Sequence, residues 1–243
     1  MRLLQQRNKE EKQNIKIKDP NESYSKEISS CISSTLINKH KVYLITDLHL
    51  FVRDKKGSTT CHKRDNFDQI LKNYTSIVNA RDVVIFMGDL VDGEFQDKDT
   101  LKNIILSLPG KKILVRGNND LFDYAFYRSC GFTYVTYEFI MNKIVYTHAP
   151  IPLPKDCIMN VHGHIHNFKT YWVPYKNMID VAFVGGREKP VELHTVLEAQ
   201  KKYAKLVKES PEHFNETFTM NPFQQALIDS GIIPKFVPDP FDD

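Results

Sequence analysis

Cysteine is scarce in this chain, and long apolar runs are scarcer. The 243 residues contain four cysteines, Cys31, Cys61, Cys130 and Cys157, far apart and without a CxxC pair. Such spacing fits neither a disulfide scaffold nor a structural zinc site, and it points to a reducing compartment. No apolar run approaches the length of a membrane span, and residues 1–20 are too polar for a signal peptide. A cytoplasmic protein with no membrane partner is therefore expected. The acceptor-like triplet Asn215-Glu216-Thr217 carries no glycosylation meaning without a secretory signal. Charge imbalance is small too: the net value of +3 does not by itself imply nucleic acid. Residues 1–41 hold nine Lys/Arg against five Asp/Glu, so the basic excess is confined to the N-terminal segment.

What is present is enough for a core. Hydrophobic residues at 41% in 243 suit one large domain with appendages. Residues 1–40 read as an N-terminal extension, partly disordered, with Ile28, Cys31, Ile32 and Leu36 at helical spacing over 26–37. The main domain occupies 41–209. Val42–Thr46, Val83–Met87 and Lys112–Val115 are short apolar runs, the pattern of parallel strands buried on both faces. Helices are expected from Asp65 to Val78 and near Thr100–Leu108, and Asp120 is expected to cap a short one over Leu121–Arg128. Alternation from Phe132 predicts a hairpin, Phe132–Ile140 with Lys143–Thr147. Strands at Cys157–Val161, near 170–174 and near 178–184 follow, then a helix at about 194–208. Helices between the early strands and none between the later ones predict an α/β fold, two sheets face to face between helices. The tail, 210–243, holds a short helix between Asn221-Pro222 and Gly231 and ends in Pro234, Pro238 and Pro240. That end reads as an extended strap or as a docking peptide for a protein partner.

The chemistry gathers at strand ends. Asp47 and His49 follow the first strand, Asp89 the second and Asn118 the third; His148, His164 and His166 follow later ones. Each alone has an ordinary explanation as a turn, cap or core residue. Seven at one sheet edge do not. Mixed carboxylate, amide and imidazole donors suit first-row divalent metals. The basic loop 53–64 leaves the first of these strands. Its Arg53, His62 and Arg64, with Arg116, are candidates for gripping phosphate, a solvated charged loop being the plainer alternative.

The ordered series Asp47-x-His49, Gly88-Asp89, Gly117-Asn118-x-Asp120, His148 and Gly163-His164-x-His166 resembles the calcineurin-like metallophosphoesterase superfamily, its small bacterial and phage members in particular. The resemblance covers about Val42–Leu197. It implies that family's four-layer fold, a two-sheet β-sandwich flanked by helices. It also implies two divalent metal ions, manganese first, with iron, zinc, nickel or cobalt as alternatives. Asp47, His49 and His166 would hold one ion, Asn118, His148 and His164 the other, and Asp89 would bridge them. A hydroxide held between the ions would then attack a phosphodiester or pyrophosphate-type substrate, a nucleotide or nucleic acid among them. In the family's Gly-Asn-His-Asp the histidine protonates the leaving group or stabilises the transition state, and the aspartate orients it; Asn119 and Asp120 occupy those catalytic positions here. A neutral amide cannot supply a proton near pH 7. The alternative is a catalytically weak protein of the same fold serving as an interaction scaffold. Asn119 and the two terminal segments favour it, and the intact ligand series opposes it.

Overall fold

The computed structural model describes residues 24–51, 67–91, 96–165, 178–181 and 189–209. The basic loop with Arg53, His62 and Arg64, the candidate ligand His166, the strand near 170–174 and the tail from 210 lie outside the described residues, as do residues 1–23.

Five helices and nine strands are described: α1 Ser25–Ile37, β1 Val42–Ile45, α2 Phe67–Ile77, β2 Val83–Phe86, α3 Lys98–Ser107, β3 Lys111–Val115, α4 Tyr124–Ser129, β4 Phe132–Thr136, β5 Glu138–Met141, β6 Ile144–Thr147, β7 Met159–His162, β8 Met178–Asp180, β9 Val191–Glu192 and α5 Leu193–Glu209. One sheet has the order β4-β3-β2-β1-β9 and the other β5-β6-β7-β8. In the first, β1 to β4 are parallel and β9 is an antiparallel edge strand; in the second, β5 is antiparallel to β6, while β6, β7 and β8 run parallel. This is the two-sheet α/β architecture the residue pattern predicts.

Period-two alternation divides the parallel strands of the first sheet between two cores. Val42, Leu44, Val83, Ile85, Ile113 and Val115 pack with Phe139, Tyr146, Val161 and Ile179 of the second sheet. Tyr43, Ile45, Val84, Phe86 and Leu114 face the other way, onto Ile70 and Tyr74 of α2, Leu101 and Ile105 of α3, and Tyr127 of α4. Ile28 and Ile32 of α1 are fully buried in the inter-sheet core. That helix is tied to the second sheet where Ile140 N donates to Ser25 Oγ at 2.8 Å. Among the described residues no helix is long and apolar enough to cross a membrane.

Two expectations are corrected. The run from Phe132 is two strands in different sheets: β4 lies parallel to β3, and only β5 forms the hairpin with β6. The hairpin turns at Asn142 and Lys143, with φ of 52° and 63°, the double left-handed pair that a two-residue turn needs. The short helix also starts later, at Tyr124, capped by Asp123 accepting from Phe126 N at 2.7 Å. Asp120 is not its cap.

Candidate metal centre

Chemistry in open α/β sheets collects beyond the carboxyl ends of parallel strands. Here β1, β2 and β3 end at Asp47–His49, Gly88–Asp89 and Gly117–Asp120, while β6 and β7 deliver His148 and His164 from the facing sheet. The segments after β1 and β2 run side by side. Asp47 N donates to Gly88 O at 3.0 Å, His49 N to Asp89 O at 2.9 Å, and Leu50 N to Leu90 O at 2.9 Å. Leu48, Leu50 and Leu90 sink into the helix-side core, which leaves the acids and the imidazole to the site.

Backbone conformation is unusual at four of these positions. Asp47, His49, Asp89 and His164 have φ of 52°, 40°, 53° and 72°. Left-handed non-glycine residues cost about 1–3 kcal/mol each and persist where the surroundings over-determine them. Glycines make the approach close enough. A Cβ on Gly117 would run into the Asp89 carboxylate, and one on Gly163 would meet Thr46 Oγ1 and Asp47 Oδ2.

Two groups of donor atoms come together, each within 4.8 Å: Asp47, His49 and Asp89, and Asp89, His148 and His164. Asp89 belongs to both. Its Oδ2 lies 3.6 Å from His49 Nε2 and 3.3 Å from His148 Nε2, and His49 Nε2 lies 3.9 Å from Asp47 Oδ1. Asn118 joins the second group, its Oδ1 3.1 Å from His148 Nε2. All members of the first group are buried, whereas His164 and Asn118 are exposed, so the site opens on the second side.

The donor chemistry fits a cation. His148 Nδ1 lies 2.8 Å from Met87 O, and a carbonyl only accepts, so Nδ1 carries hydrogen and Nε2 keeps its lone pair. That lone pair faces Asn118 Oδ1 at 3.1 Å, His164 Nδ1 at 3.1 Å and Asp89 Oδ2 at 3.3 Å. A cation shared among these atoms, a proton or a metal ion, satisfies that convergence. Burial pulls the His148 pKa down, but its bond to Asp89 and the charges of Asp89 and Asp47 outweigh burial and hold it above the ordinary value. Burial likewise pushes Asp89 up, and His148, Asn119 N–H and His49 overcome it, leaving the carboxyl below its usual range. His162, one residue outside the ligand series, is buried down to a pKa of about 4, with Nδ1 bonded to Gly163 O at 2.8 Å.

Thr46 and the His164 backbone have no signature in the sequence, and Asp120, Asn119 and Arg116 take positions the sequence does not show. Thr46 Oγ1 donates to Asp47 Oδ2 at 2.6 Å, and His164 N donates to the same oxygen at 3.0 Å. Asp120, fully buried, accepts from Asp89 N at 2.9 Å, Leu90 N at 3.1 Å and Gly117 N at 2.7 Å. Burial pushes its carboxyl up to about 6 against those donors. Asn119 lies over Asp89: its N and Nδ2 donate to Asp89 Oδ1 at 2.9 Å and Oδ2 at 2.8 Å. Arg116 is committed to the loop itself. Its Nη2 donates to the carbonyls of Asp120 and Phe122, Nη1 to Tyr137 OH, and the guanidinium lies over the rings of Tyr127 and Tyr137.

A two-sheet α/β sandwich with two acid–imidazole donor groups sharing one aspartate defines the class, an α/β protein with a candidate metal centre at the carboxyl ends of its parallel strands. The family follows from comparison with known proteins: the calcineurin-like phosphoesterase profile matches residues 40–236, and this chain belongs to that family. Among curated proteins, it is 24% identical over 180 residues to the uncharacterized protein MJ1445 of Methanocaldococcus jannaschii, covering 68% of this chain and 94% of that one. Among solved structures, the protein of unknown function AQ665 from Aquifex aeolicus shares the fold, with a TM-score of 0.52, 21% identity and coverage of 65% and 98% of the two chains. A nuclease, MPE, of Pseudomonas putida has a TM-score of 0.39 over 53% of this chain and 62% of its own, at 18% identity, too distant to bear on function.

Proposed function

We propose that this protein is a dinuclear metal-dependent phosphoesterase that hydrolyses a phosphodiester or pyrophosphate-type bond. The observation that carries the reading is the membership of Asp89 in both donor groups. Asp47, His49 and Asp89, joined by His166, would hold one ion, and Asp89, Asn118, His148 and His164 the other. Two divalent ions, manganese first among the candidates, would when bound activate water and polarise the phosphoryl oxygens. The chain's residues do the rest. Asp47 and Asp89 bring two negative charges against four on two divalent ions, so the site keeps a positive balance that suits a phosphate ester and disfavours a cationic substrate. Met87 O fixes the His148 tautomer, and Thr46 and His164 N fix Asp47. The substrate approaches on the exposed side of His164 and Asn118.

No imidazole stands at position 119, so this position supplies no proton to a departing alkoxide. Esters with good leaving groups are therefore the proposed substrates: aryl diesters, nucleotide anhydrides and activated esters, with nucleotide or nucleic acid as the broader class. The same residue favours the second reading, a metal-binding scaffold with little turnover. A substrate panel with added manganese separates the two. Metal-dependent hydrolysis of diesters or anhydrides above alkyl monoesters is expected of the enzyme. No turnover of diesters, monoesters, cyclic nucleotides or single-stranded nucleic acid, with both ions bound, establishes the scaffold.

A further inference from the structure

We infer that Asn119 is a positioning residue for the shared carboxylate, a latch that holds Asp89 between the two donor groups. The inference rests on the metal-binding reading and assigns position 119 a role distinct from leaving-group chemistry. It begins with the oxygen that faces both imidazoles. Asp89 Oδ2, rather than Oδ1, lies nearest to the imidazoles on both sides, at 3.6 Å from His49 Nε2 and 3.3 Å from His148 Nε2. Asn119 Nδ2 donates to that same oxygen at 2.8 Å, while Asn119 N donates to Oδ1 at 2.9 Å. One residue therefore grips both oxygens, which fixes the plane of the carboxylate as well as its position. The next residue, Asp120, grips the backbone of the same loop through Asp89 N and Leu90 N. The loop after β3 is thus fastened to the loop after β2 at side chain and backbone together.

Asp47 is held by a different arrangement. Its Oδ2 takes Thr46 Oγ1 at 2.6 Å and His164 N at 3.0 Å, from a neighbouring residue and from the other sheet. Donors of this kind orient metal ligands, and their loss typically weakens metal affinity or activity by about 10–100-fold. The consequence specific to Asn119 follows from sharing. Disturbing a ligand private to one ion weakens that ion alone, whereas disturbing Asp89 weakens both.

The test is titration of the full-length, chelator-stripped protein with Mn2+ by calorimetry, repeated with Co2+ and read by visible absorption. Asn119→Ala should raise the Kd of both ions, each by about 10-fold or more. Asn119→His should restore much of the affinity, because an imidazole Nδ1 stands the same number of bonds from Cα as the amide Nδ2. Unchanged affinities, weakening of one ion only, or no rescue by histidine overturns the latch. If Asn119→Ala fails to fold, the wild-type side-chain amide decides in the metal-free protein. Its NH2 proton resonances should be shifted and slow to exchange, and Asp89→Ala should return them to ordinary values; ordinary values in the wild type overturn the inference. Asp89→Asn keeps the two readings apart. If it weakens both ions while Asn119→Ala weakens neither, the shared-ligand centre stands and only the latch fails.

Discussion

Replacing Gly88 by alanine should damage fold and site together. Gly88 has φ of 100°, and an added Cβ would lie 2.5 Å from His148 Nδ1, 2.7 Å from Gly117 N and 2.8 Å from Gly117 Cα. The left-handed conformation costs an alanine about 1–2 kcal/mol, and overpacking in a rigid surround adds about 1–3 kcal/mol. The sum, about 2–5 kcal/mol, corresponds in a protein of this size to a fall in melting temperature of about 4–20 °C. The atom pressed hardest is the one that donates to Met87 O at 2.8 Å, so the imidazole shifts and carries its Nε2 away from Asn118, His164 and Asp89. Melting of the chelator-stripped protein by circular dichroism reads the first effect, and Mn2+ calorimetry reads the second. The ion held by the His148 group should weaken more than its companion. A melting temperature within about 1 °C of wild type, with both affinities unchanged, would refute the account of Gly88 as the point of closest approach.

Ile32→Ala, at a fully buried position of α1, should cost about 2–5 kcal/mol, read by denaturant unfolding; a loss below about 0.5 kcal/mol would mean that α1 is an appendage rather than part of the core. His162 has a folded pKa of about 4 against an ordinary 6.5, so the unfolded chain binds the extra proton between those values. The His162 contribution to the stability of the stripped protein should therefore rise with pH across that window by up to about 3 kcal/mol, while Asp120, whose carboxyl is pushed up to about 6, contributes the opposite slope there. Stability of His162→Phe relative to wild type should fall with pH across the window, and a pH-independent difference would contradict it; Asp120 is common to both proteins, and His148, whose pKa is raised, contributes its own slope only above 6.5. Asn119→His should speed alkyl esters more than aryl ones, within the roughly 10²–10⁴-fold range of a positioned acid. Equal slopes of log rate against leaving-group pKa in the two forms would place residue 119 away from the leaving group.

Much of this was legible before any coordinates. Continuous apolar runs such as Val83–Phe86, short and β-branched, read as strands covered on both faces, and a donor residue follows β1, β2, β3, β6 and β7 in turn. The break between β4 and β5 was not legible, because apolar alternation continues across Tyr137 and says nothing of which sheet each half joins. Asp120 and Asp123 both precede helix-forming residues, and only three-dimensional packing sends one to the Gly88–Leu90 loop and the other to the helix. Arg116 beside a ligand position reads as a phosphate contact, yet three of its bonds close on Tyr137 and on the carbonyls of Asp120 and Phe122. The backbone partners, Met87 O and His164 N, carry no side-chain identity for a sequence to record.

The central claim is that one carboxylate serves two metal ions. Anomalous diffraction at the manganese edge from Mn2+-soaked crystals of the full-length protein tests it most directly. Two anomalous peaks are predicted, one beside Asp47 and His49, the other beside His148 and His164, with Asp89 oxygens ligating both. A single peak, or two peaks of which one has no contact with Asp89, would contradict the claim.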